Sequence, residues 1–281
     1  MSSHVRTVRY VISYFLAFVL SLSLVVAALS GIAVATIGRP AFLISCLNKS
    51  GYYIRTAAEI EGYYYEINGL PGGMPEEVFS GAVEQLTLRS NVETAVQAAY
   101  RGEDYVLNRS SLQAELYQRF VDYAVSHDYT LTEEVRRNLQ NMAEYCINDY
   151  QQHMLNPYLL QAIRYISPFI GYLPYLLAGS LLLSFLLAVF LYAIRLYKHR
   201  AVRLMQYSLC GAGCMLVVVP AVILCSGIIG RLALTSQSLY GLATVYLTSL
   251  LTSCLYTGLA LIVVATTVVM LLYRLLKHRV S

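Results

Sequence analysis

Tryptophan is absent, only 13% of the residues are charged, and no aspartate or glutamate falls outside the interval 59–149. Set beside 57% hydrophobic residues, so low a charged fraction excludes an ordinary soluble domain. The alternating polar and apolar pattern of a membrane β-barrel is missing as well. There is no glycine-rich phosphate loop, no nucleophile elbow and no metal-ligand spacing, and the five histidines are scattered at positions 4, 127, 153, 199 and 278. An intramembrane enzyme or a proton-coupled transporter needs ionisable groups at depth, and the long apolar runs hold none. These absences argue against an enzyme and assign no cofactor and no metal.

What is present is a division of charge. Residues 39–168 hold ten Arg and Lys against sixteen Asp and Glu, a net of −6, whereas the flanks hold ten Arg and Lys and no acid. The flanks also carry four uncharged runs, at 10–38, 165–194, 204–230 and 232–273. A helix of about 20 apolar residues crosses hydrocarbon about 30 Å thick, and lipid offers no partner to an unpaired backbone. The reading is an all-α membrane protein with four transmembrane helices and an all-α extracytoplasmic domain inserted between spans 1 and 2. Basic residues sit at the ends of the apolar runs, where they anchor helices, so the formal pI near 8.6 implies lipid and no nucleic acid.

In order, the expected organisation is a cytoplasmic N-terminus at 1–9, a first span at 10–38, and the outer helical domain at 39–168. A second span at 169–194, a basic cytoplasmic loop at 195–203 and a third span at 204–230 follow. An outer loop or interfacial segment at 231–246, a fourth span at 247–273 and a cytoplasmic C-terminus at 274–281 complete the chain. Lys and Arg concentrate in 1–9, 195–203 and 274–281, which puts both termini in the cytoplasm of a multi-pass protein of the cell membrane. The first run is nearly twice a signal peptide's apolar core, favouring a retained span, although Ala33-Val34-Ala35 resembles a cleavage site. Ala27, Gly31 and Ala35, four apart, form a small-residue stripe suited to helix contact within the bundle or in a homo-oligomer.

Within 39–168, proline marks helix starts at Pro40, Pro75 and Pro157. The spacing predicts helices over 51–68, 111–126 and from about 133 to 154, the last behind a capping box of Thr130 with Glu133. A second box, Ser90 with Glu93, predicts a short helix ending near Gly102. The segment 157–170 carries Leu159, Leu160, Ile163, Ile166 and Ile170 with Arg164 as its one charge. It suits a helix in the outer membrane interface with Arg164 toward headgroups.

Two groups of side chains stand out in the outer domain. Tyr52, Tyr53, Tyr63, Tyr64 and Tyr65 cluster among 25 tyrosines, and aromatic rings with polar tips serve equally in helix packing and at partner surfaces. Cys46 and Cys146 would face an oxidising compartment, where a disulfide closing about 100 residues adds roughly 4–5 kcal/mol in the chain-entropy model. Against that pairing, Cys146 lies on an apolar helix stripe.

Ser50-Gly51-Tyr52-Tyr53, then Gly69-Leu70-Pro71, then Pro75-Glu76-Glu77-Val78-Phe79 form a recognisable series. In this pattern the chain resembles a family of uncharacterised bacterial four-span integral membrane proteins with an outer helical domain, here with Gly72-Gly73-Met74 inserted after the turn. The resemblance implies the topology and no activity. The expected function is therefore a non-enzymatic membrane protein whose outer domain binds a protein or envelope partner. The alternative is a channel or small-solute transporter lined by Ser208, Gly211, Gly213, Thr252, Ser253, Thr257 and Gly258.

Overall fold

The computed structural model describes residues 3–68, 74–194, 198–234 and 236–280. The expected turn at 69–73, Arg195 and Ser281 lie outside the described residues. All regular structure among the described residues is helical. In chain order the helices are α1 (Ser3–Ala35), α2 (Pro40–Lys49), α3 (Tyr52–Asn68), α4 (Glu76–Phe79), α5 (Gln85–Arg101) and α6 (Arg109–Ser126). They continue with α7 (Glu133–His153), α8 (Pro157–Ile170), α9 (Leu173–Ile194), α10 (Lys198–Cys225), a 3₁₀ turn (Ile228–Arg231) and α11 (Gln237–Val280).

Two compact units emerge. The first, Met1–Phe42 with Phe169–Leu232 and Thr244–Ser281, gathers α1, α9, α10 and most of α11. Four helices are long and apolar enough to cross a membrane: Tyr10–Ala35, Leu173–Ile194, Ala201–Cys225 and Gln237–Val268. Leu181, Leu182, Phe185 and Leu186 of α9 are exposed, an apolar surface that water would penalise and acyl chains would not. The four helices fit a multi-pass membrane protein.

Small and hydroxylated residues hold this bundle together, because lipid removes the hydrophobic drive for helices to associate. Ser23 Oγ lies 2.8 Å from Ser184 Oγ, and Ser208 Oγ donates to the Ala17 carbonyl at 2.7 Å. Ala17, Leu20, Leu191 and Leu204 form the apolar cluster between α1, α9 and α10. In the stripe Ala27, Gly31 and Ala35, Ala27 is buried, Gly31 faces Leu177 of α9 and Ala35 is exposed.

The second unit, Leu43–Pro168 with Ala233–Ala243, has its own core. Phe79 of α4 meets Phe120 of α6 edge-on at 5.8 Å, and Tyr64 of α3 meets Phe79 at 6.3 Å. Leu88, Val92, Val96, Ala143 and Ile147 close the core from α5 and α7. Arg119 ties α6 to the end of α4 by donating to the carbonyls of Val78 in that turn and of Ser80 and Gly81 just after it.

Two helix starts differ from the sequence expectation. α5 opens at Gln85, so Ser90 is interior, and its neighbours form the i,i+4 pair Arg89–Glu93 at 2.8 Å instead of a capping box. Contacts of Leu88 with the core extend the helix backward past the local signal. α7 is capped by Thr132, whose side chain accepts from Val135 N, and Thr130 lies ahead of the cap. The αL residue that ends α5 is Gly102, at φ 74°, as its position predicts.

Candidate functional site

Tyrosines in α3 divide by helix face. Tyr52, Tyr53 and Tyr64 are core residues, at most 7% exposed, so they are unavailable as partner-binding side chains. The reason is geometric: these positions share the stripe of Ile60 and Ala57 that packs inward, and burial is tolerated because the phenol tips find partners. The Tyr52 hydroxyl donates to the Met154 carbonyl and accepts from Asn156 N, both at 3.4 Å, tying α3 to the junction of α7 and α8. Tyr53 donates to Glu93 Oε1 at 3.4 Å with the Arg89 guanidinium over its ring. Burial raises the pKa of all three phenols. In the same manner Tyr150, which accepts from Asn91 Nδ2 at 2.9 Å, is pushed up to about 12 by burial.

Tyr63 and Tyr65 remain exposed. Tyr63 stacks on His153 of α7 with ring centres 4.3 Å apart. His153 Nδ1 in turn lies 3.1 Å from Asp149 Oδ1. Burial lifts the Asp149 carboxyl above the ordinary range against the pull of His153. This row packs α3 against α7 and leaves one end, Tyr63, exposed.

Cys46 and Cys146 are both buried in this unit, and no disulfide is formed among the described residues. The interior between α3, α5, α6 and α7 holds a cavity of only about 20 Å³ bounded by Tyr64, Val83, Leu116, Ile147 and Tyr150, room for one water. No group of three or more His, Cys, Asp or Glu positioned for a metal occurs among the described residues.

An open groove along α6 and α7 is the feature that periodicity did not reveal. Tyr117 and Gln140 line its middle, Glu133, Glu134, Arg136 and Arg137 one end, and Ser110, Gln113, Ala114, Asn141 and Glu144 the other. These residues read in sequence as the solvated faces of two amphipathic helices. Only the α6–α7 pairing sets them opposite each other. The floor carries amides and a phenol and one end carries both charge signs, a surface with donors and acceptors for an extended polar chain.

A second polar feature joins α3 to the start of α11. Expected as an outer loop to residue 246, this stretch is helical from Gln237. Glu59 accepts from Ser238 N at 3.1 Å, Ser238 Oγ at 2.9 Å and Ser236 Oγ at 3.1 Å, so a carboxylate caps the positive end of the helix. Ser236 Oγ also accepts from Leu239 N. Arg55, one turn from Glu59, donates to the Gln237 carbonyl and passes so close to Gly241 that a β-carbon there would strike it. Hydrogen bonds to a charged group contribute about 1.5–3 kcal/mol. Glu59→Ala should accordingly speed amide hydrogen exchange at residues 238–241 by roughly ten-fold or more, a factor of ten being about 1.4 kcal/mol. Unchanged exchange there would show that Glu59 does not hold this turn.

Three of the positions suggested for a solute path, Gly211, Gly213 and Gly258, lie in contact with a neighbouring helix. Gly213 and Gly258 abut, with the ideal β-carbon of each 2.8 Å from the other's carbonyl oxygen. Gly211 lies against Ser21, while Ser253 and Thr257 bond back to Ser249 and Ser253 carbonyls. In comparisons with known proteins, no family model, no curated protein and no solved structure matches this chain.

Proposed function

We propose that the chain is a non-enzymatic multi-pass membrane protein whose helical domain between the first two spans stands outside the cytoplasm and holds a protein partner of the envelope. The observation that carries this reading is the α6–α7 groove, an open polar cleft on a unit with its own packed core. Its open, polar lining suits a segment of polypeptide, whereas the interior cavity of about 20 Å³ admits no organic ligand. Tyr63 and Tyr65, on α3, are the remaining aromatic candidates. Use of Gly213, Gly258 and Ser208 in helix contacts favours the partner reading over a conducting path.

The test is photo-crosslinking from Gln140 in intact cells. A discrete adduct is expected from Gln140, and it should vanish when Ala114→Trp fills the groove. Reporters fused after Arg200 and Ser281 should behave as cytoplasmic and one near Arg109 as external. No adduct from Gln140, or one indifferent to Ala114→Trp, would remove the groove from the account. An external reporter after Arg200 would remove the topology.

A further inference from the structure

Helix α8 presents two unlike apolar faces. Ile163 points inward and is buried, Ser167 Oγ donates to the Tyr100 carbonyl at 3.1 Å, and Arg164 forms an ion pair with Asp104. Of the face expected to meet the membrane, Ile163 is turned into the protein while Ile166 stays exposed, and Arg164 has a carboxylate where a headgroup was expected. These contacts fix the rotation of the helix. They leave outward the opposite stripe of Tyr158, Ala162, Tyr165 and Phe169, spaced at four, three and four residues, with the three aromatics 78%, 70% and 65% exposed. No charged residue stands on that stripe.

We infer that this Tyr158–Tyr165–Phe169 stripe docks into the headgroup layer of the bilayer that the protein spans, so that α8 lies along the membrane surface. Chain connectivity makes lipid the occupant. α8 ends at Ile170, and the apolar helix α9 begins at Leu173, with Tyr172 and Tyr175 exposed at that end. The run of exposed aromatics therefore continues along the chain into a surface that only acyl chains can cover. Rings with a polar tip partition to this boundary, the ring toward the hydrocarbon and the hydroxyl toward water. Fourteen residues of helix measure about 21 Å. An upright α8 would carry Tyr158 beyond a headgroup layer that is only about 5–8 Å deep on each side. A helix lying flat keeps all three rings inside it.

The absence of tryptophan supplies the test, because one introduced indole is the only one in the chain. Full-length Tyr165→Trp and Tyr158→Trp proteins, in phosphatidylcholine nanodiscs open to water on both sides, are compared with Tyr145→Trp on α7, an exposed site away from the stripe. Brominated phosphatidylcholine should quench Trp at 165 and 158 but not at 145, and iodide quenching should be several-fold weaker at 165 and 158 than at 145. Iodide quenching at 165 equal to that at 145, with no effect of brominated lipid, would overturn the proposal. Protection from both quenchers would overturn it too, and would assign the stripe to a second copy of the chain.

Discussion

Phe120→Ala should destabilise the second unit by about 3–5 kcal/mol, the ordinary cost of emptying a phenylalanine site in a packed core. Phe120 is fully buried, and its ring is the edge-on partner of Phe79, which in turn meets Tyr64. The void would lie where α3, α4 and α6 converge, and α4 is a single turn that cannot close it by shifting as a rigid helix. Because whole domains are stable by only about 5–15 kcal/mol, the loss is a large part of the total. Limited proteolysis of the full-length protein in detergent, with cleavage within 43–168 followed against urea, measures it. A midpoint no lower than that of the exposed-site control Tyr129→Ala would contradict the assignment of this core.

Gly258→Val should destabilise the other unit. A β-carbon at Gly258 would meet the Gly213 carbonyl oxygen at 2.8 Å and side-chain atoms of Leu216 and Val217 at 2.9 Å. The Gly213 carbonyl is backbone and cannot swing aside, so relief requires α10 and α11 to separate, which also loosens the fit of Gly213 against Ile262. Overpacking of this kind costs about 1–3 kcal/mol and occasionally more. Helix propensity alone predicts the reverse sign, since glycine is a poorer residue than valine inside a helix. Gly179→Ala on α9, where a β-carbon meets nothing within 4 Å, is the matched control and should be neutral or slightly stabilising. Thermal unfolding in bicelles distinguishes the two; equal midpoints for Gly258→Val and the parent protein would mean the helices do not cross at this pair.

Both predictions concern contacts that join distant parts of the chain. The charge division around 39–168 and the uncharged runs were enough to expect helices that fit a membrane, because hydrocarbon thickness and the need to pair every backbone group act on length and composition alone. Helix starts at Pro40 and Pro157 were legible for a similar reason: proline fixes its own φ and gives up no hydrogen bond in a first turn, while Pro75 stands one residue ahead of α4 as its N-cap. The glycine that ends α5 likewise acts through its own backbone.

Other features depended on the partner helix. Ser90 with Glu93 satisfies a capping pattern, yet core contacts of Leu88 keep that position inside α5. Five tyrosines of α3 look alike in sequence, but only packing decides that Tyr52, Tyr53 and Tyr64 go inward and Tyr63 and Tyr65 stay out. The start of α11 at Gln237 was hidden because the carboxylate that satisfies its first turn, Glu59, is 179 residues away from Ser238 in the chain. On α8, composition marked an amphipathic helix, while the Arg164–Asp104 pair and burial of Ile163 chose which face turns outward. Local backbone chemistry and solvent thickness are written in order along the chain; the rotation of a helix about its axis, and the groove between two helices, are set by side chains that only folding brings together.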